Sequence, residues 1–321
     1  MVTVRDIAKV ANVSVATVSR VINHTGRVGD DTRKRVEKII SDLNYVPNQV
    51  ARSLYNKTSN LIGVILPDLG NPFYNQIISG IEDVLSQNDY QMILSVNNHA
   101  DRDKYNQAIT NFIQNNISGI ISTNFENPID IEVPLVLFDS GLITDDKIRV
   151  NSDNKYGGYL AAKALVDGGA KNIIIEHGSL SFLNLKERLD GATQYLNKKN
   201  IQYRLFEVDD FTYEAAQKNA DKFLKQFNNF DGVIAANDLH AASIVEKANK
   251  IGLKVPEKFQ IVGYDNSYIS NLTTPGISSI SQEPEKIGRA TAELLLSAID
   301  NTLNKKQIVT PVAYVKRDTT V

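Results

Sequence analysis

The chain has 321 residues, 42% hydrophobic and 22% charged, which suits a globular protein of two or three domains with sizeable cores. It contains no cysteine, so disulfides and thiolate metal sites are excluded, and no two of its four histidines (His24, His99, His177, His240) lie at ligand spacing. The net charge of −2 conceals an asymmetry: residues 1–60 hold ten Lys or Arg against five Asp or Glu, leaving −7 for the rest, a basic head for a polyanion on an acidic body.

The N-terminus has no apolar h-region and no stretch approaches 18 apolar residues, so neither a signal peptide nor a membrane span is expected, and the location expected is cytoplasmic. Residues 3–23, TVRDIAKVANVSVATVSRVIN, read as a helix, a tight turn and a second helix. Thr3 can cap the first helix, with Asp6 three residues on, as in a capping box. Ile7, Ala8, Val10 and Ala11 give it an apolar side. Ala11-Asn12-Val13 makes the turn and Ser14 is placed to cap the second helix. There Val18 and Val21 face inward, leaving Val15, Ala16, Thr17, Ser19 and Arg20 outside, small and polar enough to enter a major groove. A helical hairpin of this kind is also a generic packing motif. A third helix is expected over about Asp31–Leu43, with Val36, Ile39, Ile40 and Leu43 on one face and Gly29 or Asp30 as cap. Pro47 ends that region. The segment from Asn48 to Tyr55 is too short to hold a helix in isolation. It reads either as a hinge that folds on DNA and wedges Leu54 between base steps or as a linker with one stray leucine.

From Leu61 the pattern becomes strand then helix, repeated. Strand-like runs lie at Leu61–Leu66, Gln91–Val96, Gly119–Ser122, Leu135–Phe138, Asn172–Glu176, Gly232–Ala236 and Gln260–Gly263. Amphipathic stretches between them start near Tyr74, Lys104, Tyr156, Leu185, Tyr213, Leu239 and Glu285. Short apolar strands alternating with helices imply parallel sheets covered on both faces, here two α/β lobes with a cleft between them. Ligands bind such folds beyond the carboxyl ends of the strands. The residues there are Asp68, Asn71, Phe73 and Tyr74, Asp139-Ser140, the stretch Gly178 to Arg188, then Phe211, Asn237-Asp238, Asp265 and Gln282. Amides and carboxylates bond hydroxyls, and aromatics stack on a sugar ring. Asn237-Asp238 ahead of a helix equally suits an N-cap.

TVRDIAKVANVSVATVSRVIN, LNYVPNQVARSL, LIGVILPDLGNPFYNQIISGIE, AANDLHA and IVGYDN together resemble the LacI/GalR family of bacterial repressors, and the resemblance spans essentially the whole chain. It implies an all-α helix-turn-helix head with a hinge helix, and an α/β two-lobed body, similar to periplasmic binding proteins, with parallel sheets. The expected boundaries are 1–46 for the head, 47–60 for hinge and linker, and 61–321 for the effector-binding and dimerisation body. Lobe 1 covers about 61–152 and 284–311, and lobe 2 about 153–283 and 312–321. The resemblance further implies a pseudo-palindromic operator bound by a homodimer, and a small sugar-like effector that changes DNA affinity. Val15, Ala16 and Arg20 match base-reading positions, and Ser14, Thr17, Ser19 and Asn23 match positions near phosphates. Ala51 and Leu54 match the minor-groove pair. Asn71, Phe73, Asp139, Arg188, Phe211, Asn237, Asp265 and Gln282 match effector-binding positions. No catalytic residue, metal or cofactor is implied.

The carboxylates, Asn237 and Arg188 form a polyol-binding set similar to ribose-type sites, with Phe73 and Phe211 placed to sandwich a ring. Ser140 stands where ribose-binding proteins have Arg, which keeps a hexose, a disaccharide such as sucrose, or a nucleoside open, and the sign of the response open with them. The tail reaches Val321 without a leucine heptad, so a dimer is expected. An enzyme acting on sugars would need a feature the chain lacks, such as G-x-x-x-x-G-K-S/T, G-x-S-x-G or a histidine cluster. A transport solute-binding protein fits neither the basic head nor the absent leader.

Overall fold

The computed structural model describes residues 2–22, 24–45, 59–97, 102–123, 131–139 and 147–321. It divides into two units, Met1–Ser59 and Asn60–Val321.

The first unit is a three-helix head: α1 (Val4–Ala11), α2 (Val15–Ile22) and α3 (Asp30–Asp42). Thr3 and Asp6 form a reciprocal capping box, Asp6 N–H donating to Thr3 Oγ1 and Thr3 N–H to Asp6 Oδ2 at 2.8 Å. Asn12 ends α1 in the left-handed region (φ 51°), a conformation Asn tolerates. Ser14 caps α2 by accepting from Thr17 N–H at 3.1 Å. Ile7, Ala8, Ala11, Val18, Val21 and Val36 form the buried core, with Ile39 and Ile40 packed on it. Two expected core positions are not in it. Val10 is 62% exposed and Leu43 36% exposed. Each lies at the edge of its helix's apolar stripe, and a core this small closes over Ala11 and Val36 without them. The hinge expected between Pro47 and Leu54 lies outside the described residues.

The second unit holds two six-stranded sheets. The first runs β11-β5-β4-β3-β1-β2, from β1 (Leu61–Leu66), β2 (Gln91–Val96), β3 (Gly119–Ser122), β4 (Leu135–Phe138), β5 (Ile148–Ser152) and β11 (Gln307–Thr310). The second runs β12-β10-β9-β8-β6-β7, from β6 (Asn172–His177), β7 (Gln202–Glu207), β8 (Gly232–Ile234), β9 (Gln260–Asp265), β10 (Ser278–Ser281) and β12 (Ala313–Val315). Every strand pair described is parallel except β10 with β12. The chain therefore passes from the first sheet to the second after β5, back before β11, and over again to β12. We call the two halves lobe 1 and lobe 2.

Helices α4 (Pro72–Gln87), α5 (Arg102–Gln114) and α11 (Pro284–Ile299) belong to lobe 1. Lobe 2 holds α6 (Asn154–Asp167), α7 (Leu183–Lys198), α8 (Tyr213–Gln226), α9 (Asp238–Lys250) and the short α10 (Ile269–Leu272). Most helices begin about two residues before their expected starts, because a capping residue and an unpatterned first turn precede the apolar stripe. Asn71 with Pro72 does this for α4, and Asp153 for α6. Three strands escaped the sequence reading, and two more entered it only as the short runs ahead of Phe211 and Gln282. β5 (IRVNS), β11 (QIVT) and β12 (AYV) are too short or mixed to stand out; β10 (SSIS) is short and polar, and β7 (QYRLFE) is an edge strand with one buried side chain.

In both lobes a helix pair packs through glycine. A Cβ on Gly80 would lie 2.2 Å from the Glu285 carbonyl oxygen, and one on Gly288 2.2 Å from that of Ile77, so α4 and α11 touch backbone to backbone. The same holds for α6 and α7, where Gly158 meets the Arg188 carbonyl and Gly191 that of Lys155.

Candidate functional site

A cleft lies where the carboxyl ends of strands from the two lobes meet. It is lined by Asp68, Asn71, Phe73, Tyr74, Thr123 and Asp139 from lobe 1, and by Phe182, Asn184, Arg188, Phe211, Asn237 and Asp265 from lobe 2, around a cavity of about 120 Å³. A buried water needs about 10–15 Å³, so this is room for a small ring.

Each polar group is set by its strand or helix end. Asn71 caps α4, its Oδ1 accepting from Phe73 N–H at 3.0 Å, and this turns the Phe73 ring into the wall. Asn237 caps α9 by accepting from His240 N–H at 3.0 Å. The capping and binding readings of Asn237 are thus compatible, since the cap uses only its oxygen. Asp139 and Asp265 both sit at strand ends with positive φ, 44° and 98°, an uncommon geometry of the kind that collects at functional sites.

Arg188 organises the centre. Its guanidinium lies 3.8 Å over the Tyr264 ring, its Nε donates to Asn154 Oδ1 at 2.8 Å and its Nη2 to Gln282 Oε1 at 3.4 Å. It stands 3.7 Å from Asp139 Oδ1, which also accepts from Asn184 Nδ2 at 2.9 Å. The Oδ1 of Asn184 is buried with no hydrogen-bond partner among the described residues. Burial works against the Arg188 charge, but Tyr264, Asp139, Asp265 and Tyr74 outweigh it and hold its pKa above the ordinary value. Burial pushes the Asp265 carboxyl well up; Asp238 and Asp139 add to this, while Arg188 and the bond from Gln282 oppose it. The result is one permanent cation flanked by acceptors between aromatic walls, an arrangement suited to hydroxyls.

Seven of the eight effector candidates thus line one cleft: Asn71, Phe73, Asp139, Arg188, Phe211, Asn237 and Asp265. Gln282 does not line it. Fully buried, it stands behind, donating to Asp265 Oδ1 at 2.7 Å and accepting from Arg188. Asp238 is likewise turned away, accepting from Ser267 N–H and Ser279 Oγ, each at 2.6 Å. Asn154, Tyr264, Phe182 and Asn184 were not singled out from the sequence. Phe182 and Asn184 lie inside the stretch Gly178 to Arg188, but where the turn at Phe182 starts α7 decides which of its residues point inward. Ser140 is outside the described residues.

In the head, Ser14, Val15, Ala16, Ser19 and Arg20 are exposed along α2 and Thr17 is half-buried. Thr17 Oγ1 and Ser14 Oγ are 2.9 Å apart. Gly26 (φ 67°) lies under the Arg20 side chain, where a Cβ would come within 3.3 Å of Cδ. Asn23, Ala51 and Leu54 lie outside the described residues. Among the described residues no helix is long and apolar enough to cross a membrane, and no group of three or more His, Cys, Asp or Glu could hold a metal.

Residues 3–48 match the family described as bacterial regulatory proteins, lacI family, and residues 62–303 match a periplasmic binding protein domain. The chain is 38% identical to a ribose operon repressor of Bacillus subtilis over 100% of its own length and 99% of the relative's. It is 37% identical to a crystal structure of a periplasmic binding ribose operon repressor protein from Lactobacillus acidophilus, over 82% of this chain and 99% of that one, with a TM-score of 0.76. The crystal structure of the Lac repressor dimer bound to operator and the anti-inducer ONPF is 28% identical, covering 100% of this chain and 99% of that one, with a TM-score of 0.88. With both halves matched and full-length likeness above 30% identity, the chain belongs to the LacI family of bacterial regulatory proteins, not to a family of enzymes.

Proposed function

We propose that this chain represses a sugar-utilisation operon of the ribose type, binding a pseudo-palindromic operator as a homodimer in the cytoplasm and responding to ribose held in the cleft. The observation that carries the sugar reading is the Asp139–Arg188–Asp265 set between Phe73 and Phe211, in a chain 38% identical to a ribose operon repressor. Lys and Arg of the head neutralise phosphates and supply affinity without sequence choice. Arg20 supplies a bidentate contact to guanine, and Val15 and Ala16 apolar contact to thymine methyls. Two heads on two-fold-related subunits require two half-sites. A two-fold partner also accounts for exposed apolar side chains in lobe 1, where Leu94 and Val96 lie on edge strand β2 and Ile113 on α5.

A ligand that bonds both lobes favours their closed arrangement. It shifts operator binding only by its differential affinity for the arrangements that do and do not fit DNA. Thermal-shift measurements with ribose, sucrose, hexoses and nucleosides, paired with gel shifts on the chain's own upstream region, test the reading. A ligand at 100 times its dissociation constant adds roughly 2.7 kcal/mol of stability. Stabilisation by a purine or a disaccharide and not by ribose would overturn the ribose reading.

A further inference from the structure

The connection from β9 to β10 opens on two residues in the left-handed region, Asp265 at φ 98° and Asn266 at φ 53°. Neither is glycine, and two such residues in succession persist only where the surrounding structure over-determines them. The hold falls on Asn266. Its N–H donates to Ser279 Oγ at 3.0 Å, and its Oδ1 accepts from Arg317 Nη2 at 2.6 Å. Arg317 lies just past β12, 51 positions further along the chain. Its Nε donates to Asn271 Oδ1 at 2.7 Å and its Nη1 to the Ile277 carbonyl at 2.8 Å. One guanidinium therefore ties the start, the middle and the end of the β9–β10 connection, using donors that point in fixed, separate directions. The tail that carries it is itself fastened to lobe 2. Arg317 N–H donates to Ser278 Oγ and Thr319 Oγ1 to the Ile261 carbonyl, both at 2.8 Å, and Val321 N–H donates to Gln260 Oε1 at 3.0 Å.

We propose that Arg317 is a positioning residue for effector binding: by clamping Asn266 it fixes the backbone turn that presents Asp265 to the cleft. Asp265 lines the cleft and Arg317 does not. Two other bonds act nearby and leave that turn to Arg317. Gln282 donates to Asp265 Oδ1 at 2.7 Å, which orients the carboxyl but not the backbone after it. Ser267 N–H donates to Asp238 Oδ2 at 2.6 Å, which holds the chain only beyond Asn266. The last residues of the chain thus reach the ligand site through one side chain, and the strained pair keeps its shape because a separate segment grips it.

The role in binding rests on the cleft being the ribose site; the clamp itself does not. The test uses the full chain and a double-mutant cycle between Arg317→Ala and Asn266→Gly, with ribose titrated by calorimetry. Glycine takes positive φ without steric cost, so it needs no clamp. Arg317→Ala should weaken ribose binding about tenfold when Asn266 is present and far less beside Asn266→Gly, while lowering the melting temperature in both backgrounds. Unchanged ribose affinity in Arg317→Ala overturns the positioning role. An equal loss in both backgrounds assigns the effect to general loosening and overturns it as well. Should Arg317→Ala not fold, Arg317→Lys, which keeps the charge and loses the fork, carries the same expectation. Hydrogen exchange of the chain without ligand reads the clamp whatever ribose does. Arg317→Ala should speed exchange of the Asn266 and Ser267 amides relative to those of β6, and unchanged exchange there overturns the inference. A wild type that ignores ribose refutes the ribose reading, and the exchange rates still decide the clamp.

Discussion

Asp139 and Arg188 face each other across the cleft, 3.7 Å apart, one at the end of a lobe 1 strand and the other on a lobe 2 helix. On the proposed reading, a polyol that bonds both would hold the lobes together and put this pair on the path from ligand to operator. Arg188 also stacks on Tyr264 and bonds Asn154 and Gln282 at once, a load a compact ammonium cannot carry. Arg188→Lys and Arg188→Ala should both abolish the sugar response, costing about 2–5 kcal/mol of binding. Operator affinity without sugar should be unchanged. Titration calorimetry and gel shifts read the two arms; a normal sugar response in Arg188→Lys would show that a point charge suffices.

Asp238 makes stability depend on pH. Burial pushes its carboxyl up to about 7 from 3.8, against the opposing bonds from Ser279 and Ser267. The folded chain holds a proton there that the unfolded chain has released. Stability from this group is therefore full below about pH 4, falls as pH climbs towards about 7, and is flat beyond. Asp238→Asn removes the ionisation and keeps an acceptor for Ser267 N–H. Its melting temperature should exceed that of the wild type at about pH 8 and vary less between about pH 5 and 8. Parallel curves for the two proteins would assign the dependence to another group.

The glycine contacts give a contrast between lobes. A Cβ at Gly158 would sit 1.9 Å from the Arg188 carbonyl, and one at Gly288 2.2 Å from that of Ile77. Both Gly→Ala changes should destabilise by about 1–3 kcal/mol or more, because backbone must move. Gly158→Ala should also weaken sugar binding, since α7 carries Arg188 and Asn184 into the cleft. Gly288→Ala should lower the melting temperature with little effect on affinity. Equal loss of affinity in both would mean that general loosening, not the placing of Arg188, is responsible.

Arg20 sits exposed on α2 beside Val15 and Ala16, which have no hydrogen-bonding side chain. Arg20→Ala should relax base choice at one position per half-site, by about 1–3 kcal/mol, and leave the rest of the preference intact. Competition gel shifts over single-base operator variants measure this. A uniform loss across all sequences would reassign Arg20 to a phosphate.

Much of this was legible along the chain. The capping box at Thr3 and Asp6, the inward Val18 and Val21, and the long apolar strands from Leu61 to Leu66 and Leu135 to Phe138 are local patterns, readable because period and caps express themselves over a few residues. The strand-end rule led to Asn71, Asp139, Asn237 and Asp265, since carboxyl ends in parallel sheets gather at one edge.

Other features exist only once distant segments meet. Strands β5, β11 and β12 are too short to carry a period, and are strands because a neighbour's edge accepts them. Asn154 and Tyr264 hold Arg188 through contacts 34 and 76 positions away in sequence. Gln282 was placed in the cleft by its position after a strand and stands behind it, since its bonds run to Asp265 and Arg188. The same division applies to charge. Residue types told which side chains could bind hydroxyls, while burial and neighbours set the proton on Asp238 and the orientation of Arg188, because desolvation and Coulomb interactions depend on distance in space.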